Sequence, residues 1–162
     1  MGKEVKKAYM SKGVSFVKLN GSALKIGLAV SRWSHDFTAA LLEQCQQALI
    51  DAKVKKKNIV VRSVPGSFEL PYAALRLIEE DEVDAVVCLG CLIKGETRHF
   101  EYIAHSVSSG IMQVQLKTGV PVIFGVLTCL NEPQARERSV GKGSHAYAWG
   151  LSAVEMGLLK SE

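Results

Sequence analysis

The chain reads as a three-layer αβα sandwich on a central four-stranded parallel sheet. Three observations predict this. Short apolar runs of strand length recur at residues 25–30, 58–64, 84–90 and 120–126. The stretches between them set apolar residues at helical spacing. The runs themselves barely alternate, which suits strands covered by helices on both faces better than a sheet with one wet side.

Taken in order, residues 1–22 show no sustained period and read as an N-terminal arm with a short strand at 15–19; residues 23–162 read as the domain. After the first run, Ser34 is the candidate N-cap and Asp36 lies in the first turn of a helix with Phe37, Leu41, Cys45, Ala48, Leu49 and Ala52 on one face. The β-branched second run leads into Pro65-Gly66-Ser67 and a helix carrying Leu70, Ala74, Leu77 and Ile78. Pro71 falls in its first turn, where a missing N–H costs little. A loop at 91–96 follows the third run. The long helix after it carries Phe100, Ile103, Ala104, Val107, Ile111 and Val114, and stops at Gly119. A short helix at 132–138, a glycine-rich loop and a last helix to 160 complete the chain. For β-α-β-α-β-α-β-α-α with right-handed crossovers, a flavodoxin-like strand order is the simplest topology.

Composition removes several function classes. Hydrophobic residues at 48% and charged residues at 22% match a globular chain, which sets aside disorder and disulfide scaffolds. The longest stretch without Asp, Glu, Lys or Arg, residues 102–116, is too short and too polar to cross a bilayer. The basic N-terminus has no apolar core or small-residue cleavage site, so no secretory signal is visible, and a cytoplasmic protein is expected. The net charge of +4 comes from dispersed residues. Its one tight run, Lys53 to Lys57, reads as a solvated turn, and Lys3, Lys6, Lys7 and Lys12 belong to the arm, so neither nucleic acid nor membrane is an expected partner.

Four cysteines in such a chain should be free thiols. Cys88 and Cys91 form a C-x-x-C pair, but a redox pair opens a helix, whereas Cys88 sits inside an apolar strand run; the structural reading is favoured. No second cysteine pair or histidine spacing offers a metal site.

Ligands of an open parallel sheet bind beyond the carboxyl ends of its strands. The residues there are Ser31-Arg32-Trp33, Pro65 through Glu69, Cys91 through His99, and Leu127-Thr128-Cys129. Each has an ordinary reading. Trp33 either caps the core or faces a ligand, Ser67 makes a turn and N-cap, and Glu69 suits a helix dipole. Gly95-Glu96-Thr97 opens a helix and offers free N–H groups to an anion. His99 is either a proton shuttle or a half-buried imidazole. Together they set an aromatic plate, a carboxylate, an anion nest and a histidine along one edge.

The strings Ser31-Arg32-Trp33, residues 64–71 (Val-Pro-Gly-Ser-Phe-Glu-Leu-Pro), residues 90–104 and residues 120–128 closely resemble lumazine synthase. So do Gln134-Ala135 with Arg138, and Ala153-Val154-Glu155-Met156. The likeness runs in order over residues 22–160. It implies condensation of 5-amino-6-(D-ribitylamino)uracil with 3,4-dihydroxy-2-butanone 4-phosphate to 6,7-dimethyl-8-ribityllumazine, phosphate and water. This is the penultimate step of riboflavin biosynthesis and takes no metal or cofactor.

The resemblance also implies roles. Trp33 stacks on the pyrimidine, Ser67 and Glu69 hold the ribityl chain, and the backbone of Cys91, Leu92 and Ile93 meets the ring's polar edge. Gly95, Glu96 and Thr97 cradle the phosphate with Arg138, and His99 moves protons. Residues matching Phe124 and Arg138 come from a neighbouring subunit, so the site needs a homo-oligomer, and a neighbour's N-terminal strand is a candidate extra edge of the sheet. One region departs from the family pattern: Ser144-His145-Ala146 stands where family members carry Asn with Lys or His and then Gly, in a slightly shortened loop. His145, or Lys142, then stands in for the second phosphate cation, unless His145 is a solvated loop residue. Trp33 and the Trp149-Gly150 pair lean toward the fungal-type members, which are pentamers rather than larger shells. The competing reading is a non-catalytic relative that binds lumazine or riboflavin. A flavodoxin-like electron carrier is set aside, because the first loop is not rich in Ser and Thr.

Overall fold

The computed structural model describes residues 7–11 and 13–162. Lys3, Lys6 and Lys12 of the expected arm lie outside the described residues. The elements in order are β1 (Lys7–Ser11), β2 (Val14–Val17), β3 (Ile26–Ser31), α1 (His35–Asp51), β4 (Ile59–Val64), α2 (Leu70–Asp81) and β5 (Ala85–Ile93). There follow α3 (His99–Thr118), β6 (Val122–Cys129), α4 (Glu132–Ser139) and α5 (Ala146–Lys160).

The main sheet is four-stranded and parallel throughout, in the order β4-β3-β5-β6. This is the flavodoxin-like arrangement expected. Because successive side chains point to opposite faces, the sheet feeds two cores. Ile26, Leu28, Val30, Val87 and Leu89 pack with α1 and α5. On the other face, Ala29, Val86, Cys88 and Val126 pack with α2 and α3. Every residue of β3 is buried, which explains why its sequence does not alternate. On the first face, Gly150 lets α5 lie directly on α1: a Cβ there would stand 2.8 Å from Ala48 Cβ.

β1 and β2 form a separate antiparallel hairpin, turned at Gly13 with a φ of 86° that favours glycine. Phe16 on β2 is buried in the α1/α5 core and fastens the hairpin there.

Several local expectations hold and others change. Gly119 ends α3 in the left-handed region, its N–H donating to Gln115 O at 2.9 Å. Ser34 stands at the start of α1 but does not cap it with its hydroxyl. Its backbone is itself left-handed, not the extended conformation a capping side chain requires, and its carbonyl accepts from Phe37 and Thr38 instead. β5 runs to Ile93, beyond the expected end at residue 90, because β6 continues beside it, pairing Cys91 with Leu127 and Ile93 with Cys129. Conversely, β6 begins at Val122, after Pro121, which cannot donate to a ladder. Only Val107 and Ile111 of the α3 stripe are fully buried. Lys53, Lys55, Lys56 and Lys57 are exposed in the turn before β4.

Cys88 and Cys91, three residues apart on β5, face opposite cores and cannot act as a dithiol pair. All four cysteines are buried free thiols. Burial pushes the Cys45 thiol up to about 12, and Cys88 up as well. Cys91 is also pushed up to about 12, by burial first and by its neighbour Cys129 second. No helix among the described residues is long and apolar enough to cross a membrane.

Candidate functional site

The ladder between β3 and β4 continues past both strands. Arg32 N–H donates to Val64 O at 2.8 Å and Trp33 N–H to Pro65 O at 3.0 Å, so the Trp33 turn and the Pro65 turn stand side by side. Trp33 is 77% exposed, so its indole does not cap the core. The next residues make a short 3-10 turn, Ser67–Glu69, leading into α2. Here Glu69, not Ser67, performs the capping: its Oε2 accepts from Gly66 N–H at 2.9 Å. That bond orients the carboxylate and leaves its other oxygen available. Ser67 is buried beneath the turn.

Across the gap, β5 ends at Ile93 and α3 begins at His99. Cys91 sends its thiol into the α1/α5 core, so only its backbone is available at this edge. Among the described residues, no hydrogen bond is donated by the backbone N–H of Gly95, Glu96, Thr97 or Arg98. His99 N–H reaches Thr97 Oγ1 at 3.4 Å, and no side chain caps the helix. Undonated amides at the positive end of a 20-residue helix are groups that favour a negative charge.

These parts surround one cavity of about 810 Å³. Trp33, Ser67 and Glu69 line one wall, and Cys91, Leu92 and Ile93 form the floor. Gly95, Thr97 and His99 complete the side nearest the helix. That volume lies within the usual range of a small-molecule site.

The sequence model for 6,7-dimethyl-8-ribityllumazine synthase matches residues 23–161. The chain belongs to this family. Its relatives with that name include a protein of Pyricularia oryzae, 42% identical over an alignment covering 94% of this chain and 96% of the relative. Another, from Porphyromonas gingivalis, is 44% identical over 84% of this chain and 85% of its own. A third, from Schizosaccharomyces pombe, is 44% identical over 91% and 94% respectively.

Four residues that the likeness to lumazine synthase singles out do not line the chain's own cavity: Glu96, Phe124, Arg138 and His145. Glu96 is exposed on the loop before α3 and is not part of the cavity lining. Phe124 lies in the amino half of edge strand β6, beside Cys88, and is 41% exposed. Arg138 is exposed near the end of α4, its guanidinium donating to Gln134 O at 3.4 Å. It also draws the buried Cys129 thiol slightly down, against a larger upward push from burial. His145 is half-buried at the start of α5, where its carbonyl accepts from Trp149 N–H. The shortened loop before it is folded back on α4: Glu137 Oε1 accepts from Gly143 N–H at 3.0 Å. Lys142 is exposed on that loop.

The cavity also takes residues that sequence reasoning missed. Phe100 and Ile103 read as core stripe, and periodicity cannot separate a core face from a pocket face. Tyr102 and Ser106 follow His99 at i+3 and i+7, a spacing that puts them on its side of α3 and that makes them legible in retrospect. Phe68, flanked by Ser67 and Glu69, is 60% exposed at the mouth.

Proposed function

We propose that this chain condenses 5-amino-6-(D-ribitylamino)uracil with 3,4-dihydroxy-2-butanone 4-phosphate, giving 6,7-dimethyl-8-ribityllumazine, phosphate and water. The observation that carries the proposal is the meeting, in one cavity, of an outward-facing Trp33 ring, an oriented Glu69 carboxylate and His99 beside undonated amides.

In this reading the pyrimidine stacks on Trp33, and Ser67 and Glu69 take the ribityl hydroxyls. The backbone of Cys91, Leu92 and Ile93 meets the ring's polar edge. The phosphate sits on the amides of Gly95, Glu96 and Thr97. The ring amine attacks the ketone and water is lost to give an imine; phosphate then leaves by elimination. An enol–keto change precedes ring closure, in which the ribitylamino nitrogen attacks the remaining carbonyl and a second water is lost. Each step moves a proton near neutral pH, which suits His99. The amides hold the phosphate and receive its developing charge. Much of the acceleration comes from holding two substrates in contact.

Phe124, Arg138 and His145, outside their own chain's cavity, serve a neighbour's in a cytoplasmic homopentamer: Phe124 covers the pyrimidine, while Arg138 and His145 supply phosphate charge. The exposure of Phe124 and Arg138 supports this assignment. The domain spans residues 23–162, with 1–22 as the arm.

The test mixes the purified protein with both substrates and follows the fluorescent lumazine against the spontaneous background. Turnover well above background that falls in Arg138→Ala, together with a pentameric mass in solution, supports the proposal. Background-level product with tight lumazine or riboflavin binding would favour a non-catalytic binding protein.

A further inference from the structure

We infer that Lys94 is a positioning residue for the phosphate substrate, acting through the loop it closes; this rests on the reaction proposed above. Lys94 is the first residue past β5, and its own N–H is anchored to Cys129 O at 2.9 Å. Its ammonium forms an ion pair with Glu101 in the first turn of α3. It also lies over the ring of Phe100, 5.8 Å from the centroid, and Phe100 lines the cavity. The pair therefore spans residues 95–98, the segment whose amides donate to nothing, and ties its two ends together from outside.

Nothing else within the described residues ties the segment down apart from Arg98 O accepting from Tyr102 N–H and the weak Thr97–His99 bond. Four adjacent amides without an acceptor repel each other electrostatically, and without a clasp the loop can turn them toward water. A second effect is electrostatic. With Lys94 removed, the Glu101 carboxylate stands unpaired in the first turn of α3, next to the amides proposed to take the phosphate. Lys94 itself does not line the cavity. It acts on the substrate only through the loop and through Glu101.

The test is steady-state kinetics on the full-length protein with each substrate varied. Lys94→Met should raise KM for the butanone phosphate about fivefold, in keeping with a half-exposed ion pair reinforced by a ring contact. KM for the ribitylaminouracil should stay within about twofold, and Lys94→Arg should restore the parent values. Glu101→Gln separates clasp from charge: losing the clasp raises the butanone phosphate KM, whereas charge alone would lower it. An unchanged KM in Lys94→Met, equal rises for both substrates, a lowered KM in Glu101→Gln, or no restoration by Lys94→Arg overturns the inference. Inorganic phosphate binding, measured by calorimetry, gives an independent reading. If the parent protein yields only background product, the proposed reaction fails. The clasp then stands if Lys94→Met weakens phosphate binding several-fold, and falls if it does not.

Discussion

Gly90 and Ser67 compete for one space: a Cβ built on Gly90 would stand 2.5 Å from Ser67 Oγ. The glycine lets the turn after β4 lie flat against β5, and that contact sets the depth of the cavity. Gly90→Ala should push the Ser67–Glu69 turn outward. The expected result is a loss of about 1–3 kcal/mol in stability, as for other overpacked sites, with a raised KM for the ribitylaminouracil. Urea unfolding and steady-state kinetics check both. A variant as stable as the parent would mean that the turn yields freely.

Trp33 contributes little to the fold, since most of its surface is outside the core. Trp33→Ala should therefore melt within about 0.5 kcal/mol of the parent. Its affinity for the ribitylaminouracil should fall about tenfold, and Trp33→Phe should recover most of the loss through stacking. Equal binding by Trp33→Ala would remove the ring from the pyrimidine position.

In the proposed reaction His99 would shuttle protons in steps that also run slowly without it. His99→Ala should lower kcat by about two orders of magnitude and leave a rate still above the spontaneous reaction. Complete loss of turnover in a folded variant would contradict the importance given to substrate positioning.

The buried thiols make stability fall in alkali. Cys45 and Cys91 are held up at about 12, above the ordinary thiol value of 9.0, because burial disfavours the thiolate. The folded chain therefore keeps protons that the unfolded chain releases between those values. Their contribution is fully present below pH 9 and is lost as pH rises toward 12. Urea midpoints should drop between pH 8 and pH 10.5. Cys45→Ala, less stable at neutral pH for its lost packing, should show a shallower drop. A parallel pH profile for the two proteins would assign the loss to other groups.

The order of strands and helices was legible because β3 and β5 are apolar enough to be buried on both faces, and because Gly119 and Pro71 punctuate the helices. The edge positions at strand ends were legible for the same reason: once the sheet is parallel, Trp33, Glu69 and His99 must emerge together. Where the reading erred, neighbours decided. Cys91, Leu92 and Ile93 looked like loop, and became strand because β6 offers a continuing ladder. Ser34 looked like a cap, and its left-handed backbone withdrew the hydroxyl.

By itself, then, the sequence determined which residues are apolar, where the chain turns and which chemical groups lie at the strand ends. Those depend on near neighbours along the chain. Only the tertiary structure decided which groups share a cavity and which stay outside it. Phe100 and Val107 carry the same periodic signal, yet Phe100, at the start of α3, lines the pocket, while Val107, two turns further on, packs into the core. Lys94 and Glu101 are seven residues apart along the chain. They meet because β5 and α3 fold back across the loop between them, a distance that no local pattern encodes.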